Sequence, residues 1–326
     1  MIILQQKAIR SLNIQPEECV TWIKESFNLK KFAELPVKEA VHPQGLDFFT
    51  SMPCLLPPAK KEFNNSALNG HYYGVKVVHR IEGAVPSLGS DMMLYNADNG
   101  ELEALVDCDW ITAMRTGAVA AASALALQKT GASSYGFIGL GNTARATMLC
   151  LLSQIKAKEI TVYLVRYKDQ AESFINRFKE YPNVKFIIVE SIEEMVKSVD
   201  VLYSCITAAN GNLVPDESSF PEGITIIPIH TRGFQNCDTT FDRVFGDDTG
   251  HVRGFKYFNQ FHDYNEIGEV FAGRDPGRKS DNQRILSYSY GLGLHDVYFA
   301  AKIYEKMLNM NSTFIDWNKE TEKFWI

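Results

Sequence analysis

The sequence predicts an α/β fold in which a doubly wound parallel sheet is inserted into an α+β domain, and three observations carry the prediction. After Gly131, β-branched apolar runs alternate with segments of helical spacing, the pattern of parallel strands joined by crossover helices. Before Asp109, short β-rich pieces are separated by Gly, Pro and Asn, which marks an antiparallel sheet. The final stretch "GLHDVYFAAKIYEKMLNM", Gly293 to Met310, is amphipathic with a helical period and returns to the first domain. With 326 residues, 45 % of them hydrophobic, the chain buries a full core and is long enough for two domains.

In chain order, an N-terminal helix precedes "GLDFFTSMP" (Gly45 to Pro53), "YYGVKVVHR" (Tyr72 to Arg80) and "DMMLYNADNGELEALVD" (Asp91 to Asp107). Within the last, Ala97 to Gly100 reads as a hairpin turn. "DWITAMRTGAVAAASALALQKTG" is a long helix ended by Gly131, rich in alanine, the residue with the least cost in a helix. The alternating series then runs "YGFIG", a helix from Thr143 to Gln154, "EITVYLV", a helix from Lys168 to Glu180, "VKFIIV", a helix from Ile192 to Lys197, "VDVLYSCIT" and "GITIIPIH".

Composition narrows the function. A net charge of −6 argues against a nucleic-acid partner, which needs a basic face. The longest run of small apolar residues, Gly117 to Leu127, is too short to cross a bilayer, and "MIILQQKAIR" lacks the pattern of a secretory leader. These features point to a soluble cytoplasmic protein with no membrane partner. Its six cysteines lie more than thirty residues apart with no ligand spacing, so they read as buried thiols and no metal is expected.

The stretch "SSYGFIGLGNTARATM" carries the first chemical signal. Gly139, Gly141 and Ala144 stand at G-x-G-x-x-A spacing, closing a strand, opening a helix and beginning the β/α series, which is the context a dinucleotide fingerprint requires. Gly139 allows the tight turn, Gly141 lets the backbone approach a pyrophosphate, and Ala144 keeps helix and sheet close. The first amides of that helix, at Asn142 and Thr143, meet the phosphates with the positive end of its dipole. The domain is thus expected to be of the Rossmann kind. No acid ends the second strand, where a ribose hydroxyl would be read; "ITVYLVRYKD" offers Arg166 and Lys168 instead. That exchange favours NADP(H) over NAD(H), although a solvated surface cation is the alternative for Arg166. Thr207, after the fourth strand, is a further cofactor contact, since open α/β sheets bind ligands beyond the carboxyl ends of their strands.

The second signal is Arg115, one cation in an uncharged helical run, where burial without an anion would be costly. A structural carboxylate or a substrate carboxylate would each satisfy it.

"MRTGAVAAASALAL" followed closely by "GFIGLGNTA" resembles the ornithine cyclodeaminase and mu-crystallin family, whose members carry an arginine-threonine-alanine helix before the nucleotide-binding strand. The likeness extends to "PVKEAVHPQGLDFFTSMP", to "GVKVV" and to "GRDPGRKSDNQRILSYSYGLGLHD", in the same order and spacing. The resemblance implies a homodimer whose residues 1–114 and 293–326 form a substrate-binding and dimerisation domain, with residues 115–292 as the Rossmann NAD(P)-binding domain. It makes Arg115 the carboxylate-binding arginine and Lys76 the active-site lysine, and it places Thr116 with the cofactor. Lys38 falls where many members have a second substrate arginine, which keeps the charge but loses the planar fork. Ser289 and Gly291 resemble the segment that approaches the nicotinamide. The chain departs from the family in "IIPIHTRGFQNCD": Arg232 stands where the cyclodeaminases carry an aspartate for the substrate's distal amine, and a cation there would repel ornithine. His230 is a second candidate acid, because histidine exchanges protons near neutrality.

The leading expectation is therefore an NAD(P)H-dependent reductase or dehydrogenase of an imino or amino acid, a small-molecule substrate held by Lys38, Lys76, Arg115 and Arg232. A cyclodeaminase with catalytic NAD and a binding protein for NADPH and a small carboxylate are the alternatives.

Overall fold

The computed structural model describes residues 1–63, 65–155, 158–309 and 315. Met310, which ends the predicted terminal helix, lies outside them. The chain divides into one unit of Met1–Ile14, Leu29–Thr112 and Gly293–Ile326 and a second of Gln15–Asn28 and Ala113–Leu292.

The first unit is built on β1 (Ile2–Leu4), β2 (Glu39–Val41), β3 (Phe48–Leu55), β4 (Tyr72–Arg80), β5 (Leu88–Asn96) and β6 (Leu102–Asp107). They form one sheet in the order β1-β6-β5-β4-β3-β2. The turn read from Ala97 to Gly100 joins β5 and β6, with Gly100 at φ +75°. β2 to β6 pair antiparallel, but β1 adds to β6 in parallel, so the sheet is mixed rather than purely antiparallel. One register row runs through Met52, Lys76, Met92, Val106 and Leu4, all of them buried. The last helix, Gly293–Leu308, packs on β3 and β4. A β-carbon at Gly74 would lie 2.8 Å from Val297, so glycine there admits the helix.

The second unit holds β7 (Ser134–Ile138), β8 (Ile160–Val165), β9 (Val184–Val189), β10 (Val201–Ser204), β11 (Thr225–Pro228), β12 (Arg243–Gly246), β13 (Asn265–Glu266) and β14 (Ile285–Tyr288). All pair in parallel, in the order β13-β12-β14-β11-β10-β7-β8-β9. Residues on both faces of β10, β11, β12 and β14 are buried, as a sheet covered by helices on both sides requires. From β7 the order runs outward to β8 and β9 on one side and to β10 and β11 on the other, so the switch point lies between β7 and β10.

The α-helices among the described residues are α1 (Gln6–Ser11), α2 (Pro16–Leu29), α3 (Asp109–Leu127), α4 (Asn142–Gln154), α5 (Gln170–Arg177), α6 (Ile192–Val196), α7 (Thr249–Val252), α8 (Ile267–Phe271) and α9 (Gly293–Leu308). Most of α2, within Gln15–Asn28, belongs to the second unit. Phe27 of α2 packs edge-on to Phe271 at 5.3 Å and over Gly268, where a β-carbon would come within 2.9 Å of its ring. The apolar run read from Gly117 is part of the 19-residue α3, long and apolar enough to cross a membrane by length and composition. In the structure 72 % of that helical window is buried inside the protein, which makes it a core helix.

Candidate active site

The switch point places the carboxyl ends of β7 and β10 side by side, and the turn after β7 is shaped by them. Gly139 has φ +77°, and a β-carbon there would lie 2.8 Å from the backbone of Cys205 and Ile206, so any side chain would strike the chain leaving β10. At Gly141 a β-carbon would meet nothing within 4 Å: the space over this backbone is open. Gly141 caps α4 with no side-chain hydrogen bond to the first amides, while Asn142 is exposed, Thr143 half-buried and Ala144 buried. A helix start with uncapped amides beneath open space suits an anion. Just past β14, which pairs with β11 and β12, the hydroxyl of Ser289 is buried with no hydrogen-bond partner among the described residues. An orphaned buried hydroxyl costs on the order of 1–3 kcal/mol, which a ligand reaching it would recover. The residues present therefore fit a dinucleotide.

Gly117 is a contributor that motif reasoning missed. A β-carbon on it would stand 2.5 Å from the backbone of Ala146 and Thr147, so α3 and α4 cross with their backbones nearly touching. The signal was available, since Gly117 is the one glycine in an alanine-rich helix.

At the end of β8, Arg166 donates from Nε to Glu190 at 2.8 Å and from Nη1 to Glu172 at 3.0 Å. The sequence shows no acid at this strand end, but the fold brings one from the end of β9 and one from α5. All three side chains are exposed. Lys168 adopts φ +51° with its ammonium 5.4 Å from the centre of the Tyr167 ring. Thr207 is exposed in the loop after β10.

After β11 the loop is held in an uncommon conformation: Thr231, a β-branched residue, has φ +61° and Gly233 φ +85°. Gln235 ties it down, donating to the Thr231 carbonyl at 2.7 Å and accepting from the Gly233 amide at 2.9 Å. His230 bonds through Nε2 to Ser204 Oγ at 2.8 Å, and its Nδ1 accepts from the Arg232 amide at 3.2 Å. Burial, and then the Arg232 cation, lower the ring to about 4. Both ring nitrogens of His230 are engaged in these contacts. Arg232 itself is exposed.

Arg115, in α3, is 6 % exposed. Gly291, at φ +84°, lies against it, and its amide donates to Asp247 at 2.6 Å. Thr116 follows, half-buried.

In the first unit, Lys76 lies in β4 and is fully buried. Its Nζ lies 2.7 Å from Asp296 of α9, and neither side chain is exposed at all. The Nζ also donates to Thr112 Oγ1 at 3.2 Å, Thr112 pairs with Ser90 Oγ at 2.8 Å, and Ser90 donates its amide to Asp109 at 2.8 Å and its hydroxyl to the same oxygen at 3.4 Å. Asp296, Thr112, Ser90 and Asp109 are additions to the residues named from the sequence. Asp296 could be noticed there as a carboxylate among Gly293, Leu294, Val297 and Ala300 on the apolar helix. Lys38 stands half-buried just before β2. Among the described residues no group of three or more His, Cys, Asp or Glu is arranged to hold a metal.

The model of the ornithine cyclodeaminase/mu-crystallin family matches residues 1–238 and 242–311. An N-((2S)-2-amino-2-carboxyethyl)-L-glutamate dehydrogenase of Staphylococcus aureus is 25 % identical over 64 % of this chain, a match that spans 65 % of its own length. An alanine dehydrogenase of Archaeoglobus fulgidus is 26 % identical over 95 % of this chain and 96 % of its own. Among solved structures, the Delta(1)-pyrroline-2-carboxylate reductase of Thermococcus litoralis in complex with NADH and L-proline superposes with a TM-score of 0.83 at 22 % identity, covering 97 % of this chain and 100 % of that one. At that identity the likeness is one of fold.

Proposed function

Because the chain belongs to the ornithine cyclodeaminase/mu-crystallin family, we propose that it is an NAD(P)H-dependent reductase or dehydrogenase of an imino or amino acid. The observation that carries the reading is the turn from Gly139 to Gly141, open above the uncapped start of α4 at the sheet's switch point. The names of two relatives, both dehydrogenases of amino-acid substrates, support it.

Asn142, Thr143 and Ala144 offer the phosphate-binding amides, and Ser289 and Thr207 are the further contacts. Nicotinamide, when bound, supplies or accepts the hydride. Arg115 binds the substrate carboxylate and Lys38 adds a second cation. Lys76 gives the proton to nitrogen in the reductive direction. Arg232 selects a substrate whose side chain is uncharged or acidic, by repelling a distal amine. Arg166 and Lys168 favour NADPH over NADH, with Glu190 and Glu172 as competitors that a dianionic phosphate displaces from exposed ion pairs.

The homodimer forms through the outward face of the first sheet. Ile3, Met93 and Leu105 are 47 %, 40 % and 36 % exposed, and with Val75 and Val77 they line an apolar depression of about 440 Å³.

The test is NADPH consumption with a panel of cyclic α-imino acids and of 2-oxo acids mixed with amines, the amino-acid product identified by mass spectrometry. Stoichiometric oxidation of NADPH is expected with at least one member. No oxidation across the panel would overturn the reading.

A further inference from the structure

The chain leaving β11 and the chain leaving β14 run side by side at the carboxyl end of the second sheet. The two strands are hydrogen-bonded neighbours, and the contact continues past their ends, where the Ser289 amide donates to the Pro228 carbonyl at 3.4 Å. Tyr288 adds a tie, its hydroxyl donating at 2.6 Å to Asp238, further along the chain from Arg232. The β14 exit passes Tyr290, whose ring centre lies 5.4 Å from that of His251 and 5.8 Å from that of Phe255, and reaches Gly291, against which Arg115 lies. The β11 exit passes His230 and Thr231 and reaches Arg232.

The backbone at Arg232 is held without its side chain. Thr231 keeps φ +61°, a conformation that a β-branched residue rarely adopts and that its surroundings have to impose. They do so through the Arg232 amide on His230 Nδ1 and through Gln235 on the Thr231 carbonyl, while His230 is itself fixed to Ser204 at the end of β10. None of these bonds uses the guanidinium. It is exposed, and among the described residues no hydrogen bond or ion pair engages it. The next acids along the chain are occupied: Asp238 by Tyr288, Asp242 by the Arg284 amide at 2.7 Å and Asp247 by the Gly291 amide. The Arg232 charge still reaches both exits. It is the influence next to burial that lowers His230, and it opposes the burial and the Asp247 charge that raise the Tyr290 hydroxyl. A cation fixed on a strained loop, at strand ends where open α/β sheets bind ligands, suits an anion that the protein itself does not supply.

We propose that Arg232 binds a second carboxylate of the substrate, so that an imino or amino dicarboxylic acid spans the two exits with its α-carboxylate on Arg115 and its distal carboxylate on Arg232. The inference rests on the reading of Arg115 as the anchor of the α-carboxylate, and it narrows the substrate to one with an acidic side chain. Two guanidinium groups, each able to take a carboxylate in a fork, fix both ends of such a molecule and orient the carbon between them. A side chain ending in a methyl group would leave the Arg232 fork in water and draw no affinity from it, and a distal ammonium would be repelled.

The test is calorimetric titration of the whole chain in the presence of NADP⁺, which needs no turnover. Straight-chain dicarboxylates from malonate to adipate are compared with monocarboxylates of the same carbon number. At least one dicarboxylate is expected to bind about tenfold or more tightly than its monocarboxylate counterpart, the scale of one charge-assisted hydrogen bond. Arg232→Met, which leaves every fastening of the loop in place, is expected to erase that advantage and to keep monocarboxylate affinity within about twofold of wild type, since it removes only the second contact. Arg232→Lys should restore part of the advantage, and Arg115→Met should weaken both classes of ligand. Absence of a dicarboxylate advantage in the wild type, or an advantage that survives Arg232→Met, overturns the proposal. A dicarboxylate whose affinity ignores Arg115→Met overturns the span between the two arginines. If no substrate of the panel above is reduced, the reductase reading fails, and the titrations alone decide the role of Arg232.

Discussion

The guanidinium of Arg115 occupies the space that a side chain at Gly291 would take: a β-carbon there would stand 2.5 Å from Arg115 Nη1. Gly291 also sits at φ +84° with its amide held by Asp247, so the backbone cannot retreat. Gly291→Ala is therefore expected to push the guanidinium aside. The KM for a carboxylate substrate should rise about tenfold, the scale of one weakened charge-assisted hydrogen bond, with the Kd of the nucleotide within twofold. Steady-state kinetics and calorimetric titration read the two separately; a weakened nucleotide with unchanged KM would place Gly291 with the cofactor instead.

Removing the cation itself should cost more. Arg115→Met is expected to lower kcat/KM by roughly a hundredfold while leaving nucleotide affinity nearly intact. Retained activity would show that Arg115 has a structural role.

Arg166 gives a prediction in both directions. Arg166→Asp should make NADH the tighter ligand, and Glu190→Gln should strengthen NADPH relative to NADH, because it removes the arginine's 2.8 Å competitor. Titration of each variant with both nucleotides checks the order. Equal affinities that neither change moves would exclude a role for this strand end.

His230 and Asp238 pull stability in opposite directions over the same pH range. His230 is lowered from 6.5 to about 4 by burial and then Arg232, so the unfolded chain binds more protons there. Its contribution is complete above about pH 6.5 and is lost as pH falls toward 4. Asp238 is raised from 3.8 to about 6 by burial, against the Tyr288 hydroxyl that donates to it at 2.6 Å. Its contribution is complete in acid and is lost as pH rises to about 6. Each slope is at most about 1.4 kcal/mol per pH unit, and they largely cancel. Asp238→Asn should steepen the rise of Tm with pH across this window, and His230→Gln should tilt it downward. Tm curves parallel to wild type in both variants would remove these two groups from the account.

Arg232 predicts a negative result. At about 4 Å and an effective dielectric near 20, a like charge in place of a carboxylate shifts the interaction by several kcal/mol. Incubation with ornithine and a trace of NAD is expected to yield no proline or ammonia. Robust proline formation would reverse the choice of reductase over cyclodeaminase.

What the sequence made legible was whatever repeats with a short period. β4 runs from Tyr72 to Arg80 as its composition indicates, and α4 begins within one residue of the expected Thr143. β12 and β14 escaped notice because each is four residues long with no alternation, fully buried strands that look like any short apolar run. The glycine-arginine stretch before the last helix reads as a single motif, yet its arginines hold the fold of the second unit: Arg274 pairs with Glu269, and Arg278 donates to the carbonyls of Leu127 and Gly223. Of the site, Gly139, Gly141 and Arg115 announce themselves, because strain, close approach and an isolated charge leave marks in composition. The Lys76 network does not, because Asp296 is 220 positions away and Thr112 and Ser90 are unremarkable until the fold assembles them.

The boundary between the two units falls between Thr112 and Ala113, inside α3 rather than in a linker. A helix severed there would expose the carbonyls of its first turn and the amides of the next, each of which requires a new partner. The enzyme therefore resists dissection into separately expressed halves at its own natural seam. A fragment meant to fold alone has to carry the whole of Asp109–Leu127, and a chimaera with a relative is best joined in the turn between Leu127 and Ser134, where no helical bond is broken.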